Sequence, residues 1–258
     1  MACLFVPILL KGQDTPVDRE GLEALRRLRL AQPLLSKAFD LLAARDWEGA
    51  KRQFSRCLEA SPENPNACFG MADIFSQTGD VPQALGWIEK AEKASLDLQQ
   101  VWETQKTSLF KLSQSERTSL LRLAEDLLND GMSFYSCNAT KISHESNQAA
   151  EKARTITVKG AAGDSPFAVP AEFYSLHGNL LFKLKRFDEA EARYLQALAI
   201  APAHERCLNN LINIYFISRK FELAQSWLGK AIQQKVKINP GLVQAVRRAA
   251  AGEKPENR

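Results

Sequence analysis

Residues 171–204 and 205–238 can be laid on one another over 34 positions without a gap. Gly178 falls on Ile212, Leu181 on Tyr215, Phe187 on Phe221, Ala190 on Ala224, Tyr194 on Leu228 and Ala197 on Ala231. The register extends upstream. Residues 31–64 put Ala38, Leu41, Trp47, Ala50, Phe54, Cys57 and Pro62 in the matching slots. Residues 65–98 put Ala72, Phe75, Gly79, Ala84, Ile88 and Ala91 there. Such a period is one supersecondary unit, too small to bury its own apolar face, so neighbouring units must stack. Within each unit the apolar residues follow helical spacing on either side of a break: Arg45-Asp46, Gly79-Asp80, Lys185-Arg186 or Arg219-Lys220. Two antiparallel helices can approach closely only where small residues meet. Ala190, Ala197, Ala224 and Ala231 supply that contact, and Phe187, Tyr194, Phe221 and Leu228 fill the hollows around it. Pro62 and Pro202 end the second helix.

The pattern resembles the tetratricopeptide repeat (TPR) family, in four well-matched units covering slightly over half of the chain. The resemblance implies an all-α solenoid of antiparallel helix pairs. The expected organisation is an N-terminal segment with a capping helix (1–30), then an N-terminal repeat block (31–132). An irregular insert (133–170) and a C-terminal block with its own capping helix (171–252) complete it. The first block comprises two clear units and a degenerate third from residue 99, with a capping box at Ser113–Glu116 and Thr118 or Ser119 in its small-residue slot. The turn-rich KGAAGDSP stretch suggests that the insert is a hinge. Asn239-Pro240 opens a final helix.

Chemistry is hard to find. His144, His177 and His204 stand at no metal-ligand spacing, and none is paired with a nucleophile by motif. GAAG at 160–163 has no lysine to make it a phosphate loop. The five cysteines are scattered and include no C-x-x-C pair, which predicts reduced core thiols in a cytoplasmic protein rather than a metal or disulfide framework. A net charge of +4 without a Lys/Arg run argues against nucleic acid. No apolar run reaches the roughly 18 residues that span a bilayer, and the apolar MACLFVPILL start reads as a tucked-in strand or truncation remnant. The chain is therefore read as a non-enzyme without metal or cofactor.

What the resemblance implies is a concave wall of first helices that grips a protein or peptide. On the C-terminal units the facing residues are Asn179, Lys183, Arg206, Asn209, Asn210 and Asn213. An asparagine amide both donates and accepts, so it suits a peptide backbone, and the two cations favour acidic partners. Asn179 and Asn210 match the two asparagines with which family members hold a terminal carboxylate. Ser175 replaces the first lysine, however, and Pro240 and Gln244 stand where basic residues should be, so a plain polar peptide groove is expected. Asn179, Asn210 and Asn213 are expected to line one concave wall, with Asn210 facing solvent in the free protein. In the first unit Leu35, Phe39, Leu42 and Ala43 form an apolar inner wall, which a helix over Asp18–Arg29 could cover. The alternative is an accessory protein of a signalling or secretion system whose repeats mediate homo-oligomerisation.

Overall fold

The computed structural model describes residues 19–108 and 167–250. Nine helices run through them in order, and none of the described residues forms a strand: α1 (Arg19–Ala43), α2 (Trp47–Ala60), α3 (Pro65–Thr78), α4 (Val81–Ser108), α5 (Ala171–Lys183), α6 (Phe187–Ile200), α7 (Glu205–Ile217), α8 (Phe221–Gln233) and α9 (Pro240–Ala250). Consecutive helices pair as α1/α2, α3/α4, α5/α6 and α7/α8, with α9 closing the C-terminal end. The 34-residue period is thus one helix pair, and the fold is an all-α solenoid.

The turns explain where each first helix stops. Arg45, Lys185 and Arg219 adopt left-handed φ of 61°, 59° and 59°, and Gly79 takes 91° in the remaining turn. A side chain in this region costs about 1 kcal/mol relative to glycine. The turn offsets that by closing two backbone bonds. In the third unit Arg186 N–H reaches Leu181 O at 3.0 Å and Lys185 N–H reaches Phe182 O at 2.9 Å. The first and fourth units repeat both bonds. A cation at that point also faces the negative end of the helix dipole. Starts are capped by Asp46 on Gly49 N–H (2.9 Å) and Asn64 on Ala67 N–H (3.0 Å).

Packing follows the small-residue slots. Ala50, Cys57, Ala84, Ala91, Ala190, Ala197, Ala224 and Ala231 are all fully buried. Gly178 shows how close the helices come: a Cβ there would lie 2.7 Å from the Tyr194 ring. Gly70 lies still closer to the Phe54 ring.

The structure departs from the expected divisions in two places. α1 runs unbroken across residues 30 and 31 with Pro33 inside it, so its N-terminal half cannot fold back to cover the first unit. That half lies instead along the end of α4, where Leu22, Leu25 and Leu28 meet Leu98, Trp102 and Phe167. α4 likewise passes the expected end of its unit at residue 98 and continues to Ser108. The rest of the degenerate unit and the 133–166 part of the expected insert lie outside the described residues, as do residues 1–18.

Across the expected hinge the units are in contact. Phe69 of α3 stacks on Phe173 of α5, with centroids 4.7 Å apart and planes at 7°. Phe173, Leu176 and Leu180 belong to the same core as α2 and α3. A buried polar cluster reinforces the joint. Glu92 of α4 lies 2.8 Å from His177 Nδ1 of α5 and 3.3 Å from Arg193 of α6. α5 therefore stacks as the next first helix of one solenoid.

Two outcomes test this packing. Ala190→Leu overpacks the α5/α6 contact and is expected to cost about 1–3 kcal/mol in urea unfolding; an unchanged midpoint would reject the register. His177→Leu strips a hydrogen bond from a buried carboxylate and is expected to cost about 2 kcal/mol. If its unfolding curve overlays that of the wild type, the cluster does not hold the second and third units together.

Candidate functional site

The inner faces of α5 and α7 carry matching stripes. Glu172, Ser175, Asn179 and Phe182 stand 34 residues before Arg206, Asn209, Asn213 and Phe216. Their spacing keeps each set on one side of its helix. The structure brings Asn179 and Asn210 together, and Asn210 is half-buried and bonded rather than free in solvent as the sequence suggested. Asn210 Nδ2 donates to Asn179 Oδ1 at 2.7 Å and to the Tyr194 hydroxyl oxygen at 3.1 Å. Tyr194 Oη in turn donates to Asn179 Oδ1 at 2.8 Å. Burial pushes the Tyr194 phenol well above its ordinary value, so it remains a donor.

Asn209 is occupied as well. Its Nδ2 donates to the carbonyls of Glu205 (2.9 Å) and Lys237 (3.1 Å), and its Oδ1 accepts from Asn239 N–H at 2.9 Å. It therefore holds the loop between α8 and α9. Asn213 makes no hydrogen bond among the described residues. It lines a cleft of about 430 Å³ between α7 and α9, together with Glu205, Asn209, Asn210, Lys237, Ile238, Asn239, Pro240 and Leu242.

The cations differ from expectation. Lys183 Nζ donates to the Ser76 carbonyl at 3.2 Å, in the last turn of α3. It ties one unit to the previous one, where a cation meets the negative end of a helix. Arg206 is exposed on the first turn of α7. Asp73 of α3 is partly buried; burial raises its carboxyl above the usual range, while a bond from Gln77 and the Arg206 charge oppose the rise. Lys183 is thus engaged within the protein, whereas Arg206 keeps an exposed charge that also acts on Asp73.

The apolar wall expected in the first unit does not exist as surface. Leu35, Phe39 and Leu42 are buried, because α1 packs against both α2 and α3, and only Ala43 of that set is exposed. Phe39 meets the Phe54 ring edge-on at 5.1 Å.

Three features escaped sequence reasoning. Tyr194 reads as a packing residue, yet its hydroxyl acts on the groove. Its signal was that Phe54, Ile88 and Leu228 fill the same slot without a hydroxyl. His177 was the polar intruder of an apolar face, and its partner Glu92 lies 85 residues away. His204 is the N-cap of α7, its Nδ1 accepting from Cys207 N–H at 3.2 Å, in the slot that Asn64 occupies for α3. Burial also pushes the thiols of Cys57 up to about 12 and of Cys68 and Cys207 to about 11. They are thiols rather than nucleophilic thiolates at neutral pH. No group of side chains among the described residues could hold a metal ion, and no helix there is long and apolar enough to cross a membrane.

Two family models, both described as tetratricopeptide repeat, match residues 41–105 and 171–204. Both matched segments are tetratricopeptide repeats, and that fold suggests a protein-interaction scaffold. The structure extends the same helix pair to 205–238. Similar solved structures include PilW, a type IV pilus biogenesis factor, at 14% identity over 87% of each chain with a TM-score of 0.42. PilF of Pseudomonas aeruginosa matches at 13% over 88% of this chain and 86% of its own, with a TM-score of 0.39. The thermophilic TPR protein TTC0263 of Thermus thermophilus matches at 18% over 86% and 97%, with a TM-score of 0.34. At these identities and scores they bear on neither partner nor pathway. No curated protein matches the sequence.

The His204 cap carries a pH signature. Burial holds its imidazole below the ordinary value; Arg206 adds to the effect, and Glu172 and Glu205 oppose it. The unfolded chain then binds the proton more readily than the folded one. The contribution is complete above about pH 6.5 and is lost as pH falls through the lower folded value. His204→Asn keeps the cap, and stability measured by urea unfolding is expected to vary less between pH 7 and 5 than in the wild type. His204→Ala is expected to cost about 1 kcal/mol at neutral pH. Equal pH dependence in wild type and His204→Asn would reject the assignment.

Proposed function

We propose that the chain is a non-catalytic scaffold that binds an extended segment of a partner protein along the inner faces of α5, α7 and α9. The observation that carries this reading is the set of amide atoms, at the α7/α9 cleft and on Asn179 next to it, that have no partner among the described residues. Asn179 keeps its nitrogen, Asn210 its oxygen, and Asn213 both. Ile238, Pro240 and Leu242 give the same cleft an apolar lining. A peptide backbone needs partners for N–H and C=O alike, and an apolar lining adds affinity for a side chain.

Asn209 and Lys183 support the wall rather than the ligand, because their bonds hold neighbouring units together. Among the residues named from sequence, Asn179, Asn210 and Asn213 are the contacts we assign, with Arg206 at the rim.

The test uses a peptide selected from a random-peptide library on the whole protein. Asn213→Ala is expected to unfold within about 0.5 kcal/mol of the wild type, since it breaks no internal bond. It is expected to weaken the peptide about fivefold by isothermal titration, as for one lost hydrogen bond. Binding that is indifferent to both Asn213→Ala and Asn179→Ala would move the site elsewhere.

A further inference from the structure

The slot that faces the preceding helix is filled by Phe54, Ile88, Tyr194 and Leu228 in the four units, and hydrocarbon suffices in three of them. Packing therefore does not ask for the hydroxyl of Tyr194. That hydroxyl sits between two inner-face amides, donating to Asn179 Oδ1 and accepting from Asn210 Nδ2. Asn179 Oδ1 also accepts from Asn210 Nδ2. The oxygen of one amide and the nitrogen of the other are consumed within the protein. What remains for a ligand is the Nδ2 donor of Asn179 and the Oδ1 acceptor of Asn210. Turning one amide over would set donor against donor or acceptor against acceptor. Turning both over exchanges the two roles and again leaves one donor beside one acceptor.

We propose that Tyr194 is a positioning residue that locks this pair of asparagines as one donor beside one acceptor, so that the groove selects the main-chain amide of an internal, extended peptide segment and disfavours a terminal carboxylate. This rests on the groove reading above and names the ligand chemistry of the same site. A main-chain residue offers both an N–H and a C=O and can satisfy both asparagines. A carboxylate only accepts. It could use Asn179 but would set its own lone pairs against Asn210 Oδ1, and an unmatched polar contact of that kind costs more than a neutral gap. Cations that could offset this are few: Lys183 is spent on Ser76, Arg206 stands at the rim where its charge acts on Asp73, and the residue beside Asn179 on its stripe is the buried Ser175. The phenol cannot lose its proton near neutral pH, so the arrangement persists across the physiological range.

The experiment pans the whole chain against two random-peptide libraries, one displaying peptides with both ends joined to the carrier and one ending in a free carboxylate. The leading peptide is then synthesised as C-terminal acid, as C-terminal amide, and as a series methylated at each backbone nitrogen in turn. The proposal expects the acid and amide forms to bind equally within about twofold, and methylation of one particular backbone nitrogen to weaken binding about tenfold or more. Tyr194→Phe, whose ring fills the slot as Phe54 does in the first unit, is expected to melt cooperatively. It should lose about fivefold in affinity for the amide form, and the penalty at the sensitive nitrogen should shrink. A structural role alone would not move that penalty. The acid/amide ratio and the methylation series need only the wild type, so the proposal can be tested even if the variant does not fold. Binders that require a free carboxylate, or that tolerate methylation at every nitrogen, would overturn the proposal while leaving the groove in place if Asn179→Ala weakens them. A folded Tyr194→Phe that binds as tightly as the wild type would overturn the role of Tyr194. Enrichment of no peptide, or of peptides indifferent to Asn179→Ala and Asn213→Ala, would overturn both the proposal and the groove reading.

Discussion

The close approach of paired helices at alanine, glycine and cysteine is the contact on which the rest of this solenoid depends. With a side chain at Gly178, α5 and α6 would be forced apart by the Tyr194 ring. Separating them would also withdraw the Tyr194 hydroxyl from Asn179. The same short distance that closes the core thus sets the polar chemistry on the inner face. Closely packed interiors transmit such displacements because few voids are available to absorb them.

The second constraint is that each first helix packs against several neighbours. Its own second helix, the neighbouring first helices and, from α3 onward, the second helix of the unit before cover most of its faces. This is why Leu35, Phe39 and Leu42 become core rather than surface. It is also why the stretch between α4 and α5 does not interrupt the stack. α5 finds an apolar face on α3 through Phe69 and Phe173, and a polar one on α4 through Glu92. Burying the carboxylate there is tolerable because His177 and Arg193 both approach it.

Polar groups on the inner face are used sparingly. Most are spent on holding the wall: Asn209 on the α8–α9 loop, Lys183 on the end of α3, His204 on the start of α7. A wall whose side chains are already oriented loses less freedom when a ligand arrives, and that lowers the entropic cost of binding. Of the inner-face asparagines that keep an amide atom without a partner among the described residues, Asn210 and Asn213 line the α7/α9 cleft and Asn179 adjoins it through its bond from Asn210.

The sequence by itself determined the helix pairs, their turns and the small-residue slots, because these rest on contacts within one 34-residue unit. Ala190 and Tyr194 meet their partners a few turns away along the chain, so periodicity exposes them. The pairing of unlike units was not legible. His177 and Glu92 are 85 residues apart, Lys183 and Ser76 are 107 apart, and Asn210 lies 31 residues from Asn179. Side chains that sequence reasoning could assign only to a face were divided by tertiary contacts into those that brace the wall and those left open. The physical reason is that a polar atom's availability depends on what lies within hydrogen-bond distance, and stacking, not local pattern, decides that distance.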